Sequence, residues 1–148
     1  MKDAPSAESA LADFYRSNYF GDHAFRDPWV WVKLGPLSFP FPNPPARRAA
    51  IHLHDLTHLV TGYDTSWSGE GEVAAYELAS GFPSKFWIGW IYAPLTFTVG
   101  MLVAPARVIR AFRKGWRKPN LYKLDLPWEE LRSCSLAELR RRCGLTVS

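Results

Sequence analysis

Along most of the chain the hydrophobic positions recur with a helical rather than a strand period. Leu11, Phe14 and Tyr15 fall at i, i+3 and i+4 within residues 8–19, which predicts a short amphipathic helix ending near Gly21. Residues 28–45 hold six of the twelve prolines with aromatics between them. Proline is excluded from helix interiors and central strands, so this segment predicts an extended, packed loop. A helix follows in which Asn43 can cap, Pro44 and Pro45 suit the first turn and Gly62 supplies a stop. It should span about 27 Å. Leu53, Leu56 and Val60 mark one apolar face, while Ile51, His54, Asp55 and His58 form a second face that polar groups interrupt. The next helix is expected from about Glu70 to Ser80, with Glu70, Val73, Ala74 and Glu77 on one side and Gly81 and Pro83 ending it. Two carboxylates on such a small-residue stripe are costly if buried without partners.

Phe86 to Ala106 runs twenty-one residues without a charge, long enough to span a membrane. Pro94, Pro105, Gly89 and Gly100 interrupt it, so the expectation is a broken hydrophobic hairpin or a buried helix pair. Asp125 with Pro127 starts a short helix, and Ser135 with Glu138 forms a capping-box pattern for a last one that Gly144 ends. With few strand signals and no internal repeat, the predicted class is all-α, and residues 1–148 form a single domain.

The interrupted faces carry the candidate chemistry. At 100° per residue, His54 and His58 lie about 40° apart around the helix axis and Asp55 about 60° from His58, so three potential ligands project over one arc. The eleven residues between His58 and Glu70 are enough to reverse the chain and bring Glu70 over that arc as a fourth. Glu77 sits about 10 Å further along its helix and is expected behind the ligands or facing substrate. Histidines with carboxylates suit a divalent metal doing Lewis-acid or hydrolytic work, Zn2+ first with Mn2+ or Fe2+ as alternatives. Asp55 could ligate, or could orient a histidine and leave a position open.

Composition narrows the class further. Aromatic residues make up 15%, which suits the wall of a cavity for an apolar or aromatic ligand. Cys134 and Cys143 show no metal or disulfide-scaffold spacing and fit a reducing compartment, and acidic residues near the N-terminus argue against an export signal. The net charge of +4 is mild, but Arg107, Arg110, Arg113, Lys114, Arg117 and Lys118 lie within twelve positions. Arg107, Arg110, Lys114 and Arg117 share one helical face, with Val108, Ile109, Phe112 and Trp116 largely on the other. This pattern predicts an amphipathic helix lying on an anionic membrane surface, at the inner, cytoplasmic face. Without base-stacking or base-reading motifs, nucleic acid is not an expected partner.

His54-Asp55-Leu56-Thr57-His58 followed by eleven residues and Glu70 resembles the H-D-x-x-H-x11-E signature of the coenzyme Q (ubiquinone) biosynthesis protein four family. Gly62, Thr65 and Gly69-Glu70 fall at that family's G-x-x-T-x-x-x-G-E spacing, and Glu77 matches its glutamate seven residues on. Phe112-Arg113-Lys114-Gly115, Trp128-Glu129-Glu130-Leu131 and Leu136-Ala137-Glu138-Leu139-Arg140 are similar to the family's endings. The likeness covers about residues 44–143, and it lacks the family's basic run beside the His-Asp pair, since Ala49 to Leu53 holds no arginine. The resemblance implies an all-α fold and zinc or a similar metal. It also implies C1 decarboxylation coupled to hydroxylation of a prenylated 4-hydroxybenzoate precursor. On that reading Asp55 and Glu77 position ligands or carry a proton. Expected partners are a prenylated aromatic or isoprenoid lipid, other quinone-biosynthesis enzymes and a second copy of the chain in a homodimer. The competing expectation is a non-catalytic scaffold, in which the metal pins the helix pair and the aromatic interior holds an isoprenoid for other enzymes.

Overall fold

A computed structural model describes residues 5–18 and 23–146. The predicted end of the first helix, at Tyr19 to Gly21, lies outside the described residues. The fold is mostly helical, as its periodicity predicts. Helix α1 (Ala7–Ser17) starts at Ser6, whose side chain accepts a hydrogen bond from the Ser9 amide, and a single turn, α2 (His23–Arg26), follows.

The proline-rich segment departs from its prediction. It folds into an antiparallel hairpin, β1 (Trp29–Leu34) and β2 (Leu37–Pro42), with Trp31 opposite Pro40 and Trp29 opposite Pro42. Pro40 and Pro42 are two residues apart and so lack their donors on the same edge. A two-stranded ribbon always leaves such an edge unpaired, and proline is tolerated there. Gly35, at φ 59°, occupies the first position of the two-residue connection, where a positive φ suits the twist of the strands. Trp67 donates from its indole to the Lys33 carbonyl at 3.0 Å and Tyr92 donates to the Pro42 carbonyl at 2.9 Å, so two side chains fasten the ribbon to the helices.

Helix α3 (Pro45–Thr61) ends as expected at Gly62, in the left-handed region at φ 80°. Its beginning differs, because Pro44 holds the N-cap position and Asn43 is fully buried. The Asn43 amide donates to the Asp27 carbonyl and its oxygen accepts from Arg47. Helix α4 (Trp67–Ser80) begins one turn earlier than predicted, at an N-cap Ser66 whose hydroxyl accepts from the Gly69 amide. Val73, Ala74 and Glu77 are buried, which excludes a solvated acidic face.

The uncharged segment forms one helix, α5 (Gly89–Val103), which breaks at Ala104 into α6 (Pro105–Gly115). The expected burial does not follow. Only Ala93 and Gly100 of α5 are buried, while Trp90, Ile91, Leu95 and Leu102 face outward, Leu102 at 83% exposure. The contact with α4 explains this inversion. A Cβ built on either Gly71 or Gly100 would stand 2.5 Å from the other's Cα, so the two backbones meet directly and the bulky side chains must point away. No helix among the described residues is long and apolar enough to cross a membrane. Helix α6 turns Val108, Ala111 and Gly115 inward. Its basic face is shorter than predicted, because Arg107 pairs with Glu72 and Asp64 and Arg117 lies beyond the helix end.

Helices α7 (Trp128–Ser133) and α8 (Leu136–Arg142) close the fold, with Ser135 accepting from the Glu138 amide as the capping pattern predicts. Arg140 donates to the Leu59 and Val60 carbonyls at 2.9 and 3.0 Å, satisfying α3 carbonyls near its C-terminus. Leu56, Val60, Tyr76 and Leu139 lie in the main core behind the polar faces of α3 and α4.

Candidate metal centre

The short connection between α3 and α4 decides whether the polar faces meet. Asp64 accepts from the Ser66 amide at 2.9 Å, and the Thr65 hydroxyl donates to Asn18 at the end of α1. Gly69 lies against the Asp64 carbonyl so closely that any Cβ there would overlap it. The glycine therefore lets the chain turn tightly enough to set Glu70 in the first turn of α4, over the α3 histidines.

His54 Nε2 stands 3.2 Å from one Glu70 oxygen and His58 Nε2 stands 3.3 Å from the other. One donor atom from each of the three residues fits within a 4.8 Å span, so His54, His58 and Glu70 form a group that could hold a metal ion. For comparison, the edge of a tetrahedron with bonds of about 2 Å is about 3.3 Å. The far sides of the rings are also specified. His58 Nδ1 faces the Tyr63 carbonyl at 3.1 Å, and a carbonyl only accepts, so that nitrogen carries the hydrogen. His54 Nδ1 faces Glu77 at 3.3 Å, and Tyr122 donates to the other Glu77 oxygen at 3.1 Å. Both rings thus present Nε2 toward a carboxylate, an arrangement that a second ring proton or a shared cation would satisfy. An acceptor behind each ring is what a metal-binding histidine ordinarily has.

The electrostatics agree with a cation seat. Burial by itself would depress the His54 pKa, but the Glu77 and Glu70 carboxylates outweigh it and hold it well above its ordinary value. For Glu70, burial pushes upward, yet its bonds to His54 and His58 prevail and hold the carboxyl well below the usual range. His58 is buried at 2% exposure, whereas His54 and Glu70 retain 28% and 25%, so these two form the open side.

Asp55 is not in the three-residue group. Its carboxyl is buried; burial pushes it up to about 6 against the pull of the two histidines and the Tyr15 hydroxyl. Glu77, about two turns beyond Glu70 on α4, stands behind His54, at the ring nitrogen that does not face Glu70. His52 points elsewhere, stacked between Phe25 and Trp128 and bonded to Tyr15.

The open side faces a cavity of about 530 Å³ between the hairpin, α3, α4 and α5. His54, Asp55, Glu70, Glu77 and Tyr122 contribute its polar wall; Trp31, Phe39, Phe41, Phe82, Ile88 and Val99 are among its apolar lining. Two lining residues escape sequence reasoning. Tyr122 reaches Glu77 from forty-five positions away, with no spacing to reveal it. Arg47 is seven residues before His54 on the same helical stripe, a signal that the proline run beside it obscures. No family model and no curated protein matches the chain.

Proposed function

We propose that the chain is a metal-dependent enzyme of the ubiquinone-biosynthesis type. Its reaction removes the C1 carboxylate of a prenylated hydroxybenzoate, or a related aromatic acid, and hydroxylates that carbon. The observation that carries this reading is the group His54, His58 and Glu70, two of whose members, His54 and Glu70, stand in the wall of a cavity with aromatic lining. The H-D-x-x-H-x11-E spacing supports it. In balance, the bond from C1 to the carboxylate breaks to release carbon dioxide and a C1–oxygen bond forms. Dioxygen is the oxidant, a reductant supplies two electrons, and the second oxygen atom leaves as water. A divalent metal, Zn2+ or otherwise Mn2+ or Fe2+, supplies a Lewis acid that stabilises negative charge on a ligand oxygen. The protein does the rest. Glu77 orients His54, Tyr122 orients Glu77, the hairpin and α5 exclude water, and Asp55 lines the cavity where a proton must be handled.

The test is release of labelled carbon dioxide from a carboxyl-labelled prenylated 4-hydroxybenzoate, given dioxygen and a reductant. Release by the metal-loaded protein and its loss in Glu70→Ala are expected. Metal uptake with no release at any prenyl length would favour the second reading, an isoprenoid-binding scaffold serving other quinone-biosynthesis enzymes, to which the apolar lining also lends support. Glu77→Gln should keep metal while lowering turnover, with affinity weakened about 10- to 100-fold at most. Complete loss of metal would make Glu77 a ligand.

We infer that the protein also docks on an anionic membrane, through the exposed Arg110, Lys114 and Arg117 together with apolar side chains exposed on α5. Each basic residue near such a surface contributes about 1 kcal/mol, so changing these three to Gln should weaken sedimentation with anionic liposomes about a hundredfold at low salt. Absence of binding to any liposome would refute this inference.

A further inference from the structure

Arg47 is the one cationic side chain on the α3 stripe that leads to the metal group, and nothing in the proposed reaction so far uses it. It lies seven residues before His54, hence on the same face and about 10 Å back along the helix axis. Its guanidinium is half-buried in the cavity wall, donating at 2.8 Å to Asn43 and standing 5.6 Å from the centroid of the Tyr92 ring. Both supports are themselves fixed. Asn43 is fully buried and donates to the Asp27 carbonyl, while Tyr92 donates to the Pro42 carbonyl and meets Phe41 edge-on at 5.2 Å. The guanidinium is therefore held in place, not trailing into solvent. Yet among the described residues it has no carboxylate partner. Asp55 and Glu70 attract it from a distance without forming an ion pair, and burial lowers its pKa against that attraction. A positioned guanidinium beside an apolar wall, with Asn43 alone among the described residues accepting from it, leaves donors open toward the cavity.

We propose that Arg47 is the anion anchor of the cavity, receiving an oxyanion carried on an otherwise apolar ligand while the ligand's other polar end faces His54 and Glu70. The planar fork of donors favours a carboxylate or a phosphate, both of which it can bind through two parallel hydrogen bonds. The inference rests on the cavity being a ligand site and names the chemistry of what enters it. It also fixes the ligand's direction, with the oxyanion toward α3's N-terminal end and the hairpin.

Three probes with one chain length separate the alternatives. Dodecanoate, dodecyl phosphate and dodecanol are titrated into the zinc-equilibrated protein, followed by tryptophan fluorescence, since Trp31 and Trp67 line the cavity. Wild type is expected to prefer at least one of the anions over the alcohol by about ten- to a hundredfold, the worth of a charge-assisted hydrogen bond. The preferred anion identifies the oxyanion class. In Arg47→Met the preference should collapse toward unity while dodecanol affinity and melting temperature hold; in Arg47→Lys part of the preference should survive. A preference unchanged in Arg47→Met, or absent from wild type, overturns the proposal. So does equal loss of all three probes in both variants, which would make the role structural. Metal content is measured in parallel: a wild type that holds no zinc yet still discriminates would remove the metal reading and leave the anchor standing.

Discussion

His58→Ala and Glu70→Ala are each expected to empty the metal centre, whereas His52→Ala leaves it full. Binding free energies of about 10–16 kcal/mol for four-ligand zinc sites imply roughly 3 kcal/mol per ligand, a loss of two orders of magnitude or more in affinity. His58 should be the most sensitive position. Its ring is buried and held by the Tyr63 carbonyl, and no other donor of the three-residue group can replace it. His52 shares the helix but faces Phe25, Trp128 and Tyr15, so it tests whether any histidine change is harmful. Metal analysis of purified variants reads the outcome directly, and a second reading comes from melting. A ligand at a hundred times its dissociation constant stabilises by about 2.7 kcal/mol, so wild type should melt several degrees higher with metal and the two ligand variants should not respond. If His52→Ala empties the centre as fully as His58→Ala, the three-residue group is wrong.

Gly71→Ala and Gly100→Ala should each destabilise the fold despite alanine's better helix propensity. Either new methyl would stand 2.5 Å from a backbone carbon of the facing helix, and the one on Gly100 also 3.0 Å from a Val108 methyl. Rotamer changes cannot relieve contact with a backbone, so α4 and α5 must separate. Overpacking of this kind costs about 1–3 kcal/mol, more than the propensity gain of roughly 1 kcal/mol at the worst end. The melting temperature should fall by several degrees, whereas Ile91→Ala on the exposed side of α5 should stay within about 0.5 kcal/mol of wild type. The double variant is the more informative measurement. Once the helices have parted for the first methyl, the second meets less resistance, so its combined effect should be smaller than the sum. Strict additivity would mean that the two glycines do not share one contact.

The sequence was most legible where one period governed both fold and chemistry. His54 and His58 one turn apart, Gly62 as a left-handed stop and Gly69 before Glu70 are local signals, and they suffice to bring α3 and α4 together at a metal-competent group. It was least legible where the deciding contact was remote or the pattern carried no contrast. Proline in residues 28–45 rules out a central strand but not an edge ribbon, so the pattern carries no sign of β1 and β2. α5 is apolar on every side, and no periodicity can say which face turns inward when the answer depends on one glycine meeting another twenty-nine positions away. Asn43 resembles a cap in sequence, yet its side chain is engaged by Asp27 and Arg47, partners that only the folded chain supplies.

The hairpin is placed to set the kinetics of a ligand of the proposed kind, because it forms part of the cavity wall. An isolated two-stranded ribbon has little stability of its own, and this one is fastened by the Trp67–Lys33 and Tyr92–Pro42 hydrogen bonds, each between a side chain and a carbonyl. Lifting it therefore breaks few interactions with the helices while uncovering Trp31, Phe39 and Phe41 from the cavity wall. For a ligand of the proposed kind, affinity would come from the helices and the apolar lining, and residence time from how often the Trp67 and Tyr92 fastenings open together. On the proposed reading, a ligand that packs against Trp31 and Phe41 would strengthen the closure over itself, so exit should slow more than entry as its apolar body lengthens.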